Sequence, residues 1–176
     1  EFADLVERYS QPTLESASTA EVIVQDARDF DGMTALPGSS FVGIDIAGEA
    51  AGYARAVGLI DEAIVENLEE DRLSPSAQSA LKGADTIITT GAIGYVSEQT
   101  ISQVVAAAGE DPPWVAAFAL RQFPFGSIAE ALEGYGLLTE RLENRYFVQR
   151  AFRDREEAEG AFDAVAAAGR DPQGVE

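Results

Sequence analysis

Ser40-Phe41-Val42-Gly43-Ile44-Asp45-Ile46, followed by the alanine-rich run 47–57, is the stretch on which the reading of this chain turns. Residues 41–46 are almost wholly apolar, close on one acid and open directly into a run of helical composition. That pattern reads as a buried parallel strand feeding a helix. In doubly wound sheets ligands sit beyond the carboxyl ends of the strands, where an acid can take the two hydroxyl groups of a nucleoside ribose. Asp45 stands at that place. The competing reading is that Asp45 only caps the following helix, since Asp is a favoured N-cap residue and the helix dipole favours an anion there.

On the amino side, Pro37-Gly38-Ser39-Ser40 turns the chain into this strand. Further upstream, Ser18 and Glu21 have capping-box spacing and open a helix that carries Val22, Ile23, Ala27 and Phe30 towards Gly32. Residues 1–10 place Phe2, Leu5, Val6 and Tyr9 on one face of a shorter helix, which Pro12 ends. Asp26, Asp29, Asp31 and Gly32 do not make a calcium loop. With Gly32 in sixth place, Ala27 and Gly38 fall where acids are required, so these acids read as a charged helix face.

On the carboxyl side, Gly58 stops the first long helix, and residues 63–66 read as the next strand, tipped by Asn67. Ser74-Pro75 caps a helix to Lys82. Residues 84–90 read as a buried strand running into Gly91-Ala92-Ile93-Gly94-Tyr95, and a helix over 97–108 leads to a strand over 114–120. Ser127 and Glu130 have capping-box spacing before a helix to Tyr135. Residues 137–142 and 146–152 flank Glu143-Asn144-Arg145 as an antiparallel hairpin, and 154–168 form a closing helix. Strands alternating with helices predict a single α/β domain over residues 1–176. Its architecture is three-layer and Rossmann-like, with a mostly parallel sheet and a C-terminal antiparallel hairpin.

Composition narrows the function classes. The chain has 176 residues, with 31 acids against 12 bases and a net charge of −19. Nucleic acid is excluded as a partner on that balance, because binding it requires a basic face that displaces counterions. Without cysteine there is no disulfide or thiolate chemistry, and without histidine the commonest general base and metal ligand are missing. Proton transfer falls to Asp, Glu, Tyr, Lys82 or water, no metal site is expected, and chemistry carried by a bound cofactor fits best. No apolar run reaches the ~20 residues of a membrane span and no signal peptide is visible, which implies no membrane partner and a cytoplasmic location.

In this order of elements the chain resembles the class I S-adenosylmethionine-dependent methyltransferases. Residues 41–46 followed by 47–55 are similar to the family's second strand and helix, with Asp45 and Ile46 at the cofactor ribose. Asn67 and Leu68 fall where the third strand lays a polar and an apolar group against the adenine. Asp85-Thr86-Ile87-Ile88-Thr89-Thr90-Gly91 resembles the fourth strand and the loop beside the methionine moiety, which implies cofactor contacts at Thr90 and Gly91. The expected hairpin is similar to the family's sixth and seventh strands. Ile93-Gly94-Tyr95-Val96, Pro113-Trp114-Val115-Ala116-Ala117-Phe118 and the stretch 135–150 look like a little-characterised bacterial branch. The likeness covers residues 1–175. By it, the chain starts just after the family's first strand and glycine-rich loop, a motif this sequence lacks: Gly43, Gly48 and Gly52 are spaced otherwise, and Gly91 to Gly94 comes one motif later.

The resemblance implies S-adenosylmethionine as cofactor and a small-molecule acceptor, with no catalytic residue assigned. Tyr95 and Trp114 are substrate-flanking candidates against a core reading for both. Arg121 is a candidate anchor for an acidic or carbonyl group against an ion-pair reading, and the threonines at 89 and 90 also read as ordinary cap formers. Glu66 and residues 69–71 read as a solvated acidic run. In the family the first strand lies between the second and fourth, so its loss leaves two edges unpaired. Weak cofactor binding by an isolated monomer follows, with a strand-supplying partner or a homodimer by strand exchange as compensation. The alternative function is a methyltransferase-like scaffold that no longer methylates, acting as a cofactor-independent, cyclase-type catalyst or as a binding protein.

Overall fold

The computed structural model describes residues 18–31, 38–142, 145, 147 and 151–172. The helix expected within residues 1–10 lies outside them. The chain divides into two compact units, Glu1–Asn67 and Leu68–Glu176.

In the first unit, α1 (Thr19–Asp31) begins with the expected capping box. Ser18 donates its backbone N–H and its hydroxyl to Glu21 Oε2 at 2.9 and 2.8 Å, and its hydroxyl accepts from the Glu21 N–H at 3.4 Å. β1 (Val42–Ile44), α2 (Gly48–Ala56) and β2 (Glu62–Ile64) form one strand–helix–strand crossover. The two strands pair in parallel, Val42 opposite Glu62 and Ile44 opposite Ile64. Gly43 is a packing glycine, because a Cβ there would lie 2.7 Å from Ile60 Cδ1. Gly58, at a φ of +78°, ends α2 as read from the sequence. Asp61 Oδ2 accepts the Phe41 N–H at 2.7 Å and closes the start of β1 onto the start of β2.

In the second unit, α3 (Pro75–Leu81) opens at Ser74, whose hydroxyl accepts the Ala77 N–H at 3.2 Å. β3 (Thr86–Thr90), α4 (Glu98–Ala108) and β4 (Trp114–Phe118) make a second crossover. Its strands are also parallel, with Thr86 opposite Trp114 and Thr90 opposite Phe118. α5 (Gly126–Glu133) and α6 (Arg155–Ala167) follow, the latter capped by Asp154 accepting the Glu157 N–H at 2.9 Å. The core of this unit is Ile93, Ile101, Val105, Ile128 and Leu132, with Ile87, Val115 and Phe123 packed against it. α4 supplies Ile101, Val104, Val105 and Ala108 from one face, the i, i+3, i+4, i+7 spacing of an amphipathic crossover helix.

The α/β class and the parallel pairing hold, but four readings are corrected. Instead of one larger sheet, the described strands form two separate two-stranded sheets. β3 and β4 are not buried on both faces: Ile87, Thr89, Val115 and Ala117 are half-buried, while Thr86, Ile88, Thr90, Trp114, Ala116 and Phe118 face out. A continuous apolar run predicts cover on both faces, and among the described residues helices pack on one, through Ile87 and Val115. The first arm of the expected hairpin, 137–142, carries no strand. Leu137 is instead tied to the end of α5, its N–H donating to Leu132 O at 3.1 Å, and Leu138 and Leu142 are exposed. The second arm lies mostly outside the described residues. Finally, α5 begins before Ser127, at Gly126 after Phe125 with no side-chain cap, so Ser127 and Glu130 do not form the capping box.

Candidate functional site

Each unit has one end at which both of its parallel strands finish. In the first, the Asp45 N–H continues the ladder to Ile64 O at 3.1 Å, which sets Asp45 just beyond the tips of β1 and β2. Asp45 Oδ1 accepts the Ala47 N–H at 2.8 Å, an Asx turn that steers the chain into α2. Ala47, not Asp45, is the N-cap of α2 and has no side-chain cap bond. Asp45 is exposed, and its second carboxylate oxygen meets no donor among the described residues. Ile46 is exposed beside it, and Asn67 follows three residues past the carboxyl end of β2. The structure thus brings Asp45, Ile46 and Asn67 to one end of one sheet.

Two helix turns of this unit also hold a buried acid. Asp26 of α1, 1% exposed, accepts the Tyr53 hydroxyl of α2 at 2.5 Å through Oδ2. The reading of Asp26 as part of a charged helix face is therefore corrected, since its carboxylate is buried against α2. No local pattern marks a partner 27 positions away.

In the second unit the Gly91 N–H extends the ladder to Phe118 O at 2.9 Å, and the chain then makes a tight loop. Tyr95 and Val96 donate their N–H groups to Ala92 O at 2.9 and 3.0 Å, and Ile93 bridges Val96. Gly94 sits at a φ of +114°, and a Cβ there would lie 2.6 Å from the Phe123 ring. Only glycine meets both conditions, so Phe123 fixes the turn and Tyr95 at its crest stands out, 82% exposed. Thr90 and Gly91 thus lie at the carboxyl end of β3 with Tyr95 in the loop above them.

The remaining candidates lie elsewhere. Trp114 pairs with Thr86 at the amino end of the strands. At ~3.3 Å per residue it is roughly 13 Å from the end where Thr90 and Phe118 pair. The Leu68 side chain is 3% exposed, so it is a core residue with no free apolar face. Arg121 donates through Nη2 to the carbonyl of Asp171, which ties the loop after β4 to the chain after α6. Among the described residues no group of His, Asp and Glu side chains is arranged to hold a metal, and no helix is long and apolar enough to cross a membrane.

A network unseen in the sequence surrounds the second loop. Glu69 Oε1 accepts the Ser97 N–H at 2.9 Å and the Thr100 hydroxyl, while Oε2 accepts the Ser97 hydroxyl at 2.7 Å. The Ser97 hydroxyl in turn accepts the Gln99 N–H at 3.1 Å as the N-cap of α4. Gln99 Nε2 donates to Glu69 O at 2.7 Å, and Gln103 Nε2 donates to Leu68 O and Asp71 O at 2.9 and 3.0 Å. Partial burial pushes the Glu69 carboxyl up, but the Ser97 N–H and the Thr100 and Ser97 hydroxyls outweigh it and hold the group below its ordinary range. Glu69 is therefore no part of a solvated acidic run. The one signal in the sequence was a helix start at Ser97, and nothing there pointed 28 residues back.

No family model, curated protein or solved structure matches this chain.

Proposed function

We propose that the chain is an S-adenosylmethionine-dependent methyltransferase acting on a small molecule. The observation that carries this reading is Asp45, an exposed carboxylate at the tip of a parallel strand, with one oxygen held by its own turn and the other presented outward. A ribose diol is recognised by such an acid, and Ile46 and Asn67 at the same end of the sheet supply an apolar and an amide group for a purine. Thr90 and Gly91, at the tip of β3, would meet the methionine end, and Tyr95 would flank the acceptor. Methyl transfer to a positioned nucleophile depends mainly on proximity and orientation, so a chain without histidine can carry it when the acceptor is acidic or loses its proton to a carboxylate or tyrosine. The reading requires the Rossmann-like three-layer arrangement. β1 and β3 each pair on one side only among the described strands, which leaves each an edge to which a further parallel strand can add.

The test is ligand-observed NMR, which registers weak binding, with S-adenosylmethionine added to the protein and to Asp45→Ala. Saturation transfer to the ribose and adenine protons is expected in the parent, with affinity about tenfold lower in the variant, the size of a lost hydrogen bond to a charged group. Binding that is absent in the parent overturns the reading, and binding untouched by Asp45→Ala overturns the ribose role.

A second reading, a scaffold that binds a partner without methylating, is favoured by the outward face of the second sheet. Ile88, Trp114 and Phe118 share that face, where Trp114 is 82% exposed and the Phe147 ring packs edge-on against Phe118 at 5.6 Å. Large aromatic residues on a surface are the usual anchors of an interface.

A further inference from the structure

We propose that Glu69 is a positioning residue for the ligand site at the carboxyl end of β3, acting through Ser97 on the loop that carries Gly91 and Tyr95. This rests on the reading of that end as a cofactor site. Three observations converge on it. Gly91 to Val96 is anchored by the Gly91 N–H on Phe118 O, the turn bonds to Ala92 O, the seat of Gly94 on Phe123 and the buried Ile93, all of which lie before Ser97. Ser97, the residue that closes the loop, gives both its N–H and its hydroxyl to one carboxylate, that of Glu69. Thr100, one turn into α4, donates to the same carboxylate.

Glu69 is itself kept in place by groups that do not belong to the loop. Its carbonyl accepts from Gln99, and the neighbouring Leu68 carbonyl accepts from Gln99 and Gln103 at 3.3 and 2.9 Å. The Leu73 N–H donates back to Gln103 Oε1 at 2.9 Å, so residues 68–73 are pinned along the first two turns of α4. The carboxylate therefore projects from a fixed segment onto the end of the loop, where it joins α4. A carboxylate is suited to this because it accepts from three donors at once without a proton of its own to place. With the carboxylate removed, Ser97 loses two bonds and the first turn of α4 loses a third, so the loop keeps its anchors at Gly91, Ile93 and Gly94 but loses the hold on its carboxyl end.

The experiment compares the parent with Glu69→Ala, Glu69→Gln and Asp154→Ala. The last removes the cap of α6 in the same unit and serves as a destabilised control. Amide exchange by mass spectrometry is read over residues 91–100, and S-adenosylmethionine affinity by ligand-observed NMR. Glu69→Ala is expected to speed exchange in this segment and to weaken the cofactor about tenfold, as for hydrogen bonds to a charged group. Glu69→Gln, which keeps an acceptor for the Ser97 N–H, is expected to recover most of both, and Asp154→Ala to leave the affinity unchanged. Unchanged exchange in Glu69→Ala overturns the proposal, as does unchanged affinity or an equal loss in Asp154→Ala. A parent that binds no S-adenosylmethionine removes the proposed function and this role with it, whereas a parent that binds and a Glu69→Ala that binds equally well removes this role alone.

Discussion

At the end of β1, the Asp45 carboxylate is held by a single bond from a residue two positions on, whereas at the end of β3 the turn is held by Phe123 and by a carboxylate 28 positions away from its Ser97 partner. Beyond the ladder bond from Asp45 to Ile64, the first tip is turned by its own sequence and stays exposed. The second is built by tertiary structure, around a core of five buried residues to which the loop contributes Ile93. A strand tip of the first kind can be altered without unfolding its unit, while one of the second kind couples any change in the loop to the stability of the whole unit.

The largest effect that would expose this contrast is a cavity beneath the second loop. Ile101→Ala should cost about 2–5 kcal/mol, because Ile101 is buried in the cluster that holds Ile93. Urea unfolding followed by circular dichroism checks it, and a loss well under 1 kcal/mol would mean the core collapses around the change. Next, Gly94→Ala should cost about 1–3 kcal/mol from a strained φ together with the clash on Phe123. Combining it with Phe123→Ala should relieve the clash and leave the strain, so a double-mutant cycle that shows no coupling refutes the packing account. In the first unit, Tyr53→Phe should cost about 1–3 kcal/mol by taking a donor from the buried Asp26. Amide exchange in α1 and α2 should rise while that over residues 91–100 stays put.

A smaller effect depends on pH. Because the folded-state carboxyl of Glu69 lies below its ordinary value of 4.5, its bonds stabilise the protein fully above that value. The contribution is lost as pH falls through the folded-state value. The stability gap between the parent and Glu69→Ala should therefore be constant around neutrality and shrink below pH 4.5. Glu21 and Asp154, also lowered by their helix N–H partners, are common to both proteins and cancel in the difference. Least of all, Asp45→Ala should change stability by no more than about 0.5 kcal/mol, as for an exposed surface position, whatever it does to ligand affinity. A larger loss would show that the Asx turn is needed to build α2.

Legibility in the sequence followed the range of the interactions. The Ser18–Glu21 box, the Ser74 cap, the helix start at Ser97, the Gly58 stop and both strand–helix–strand crossovers were readable because each depends on residues within a few positions. Asp45 was readable as an acid at a strand tip for the same reason. Which end of the strand pair carries Trp114 was not legible, because apolar pattern fixes the strand it belongs to but not its distance from Thr90 and Gly91. The shared carboxylate of Glu69, the Tyr53–Asp26 bond and the seat of Gly94 on Phe123 join positions 27 to 31 apart, and no spacing rule reaches that far.

Trp114 carries one more consequence. It is the single tryptophan of the chain and stands almost fully in solvent on the outward face of the second sheet. Its emission should therefore lie at the long-wavelength end and be readily quenched by acrylamide. Whatever comes to lie on that face, a strand, a helix or another protein, will announce itself as a blue shift and a loss of quenching, so the molecule carries its own optical gauge of whether that face is covered.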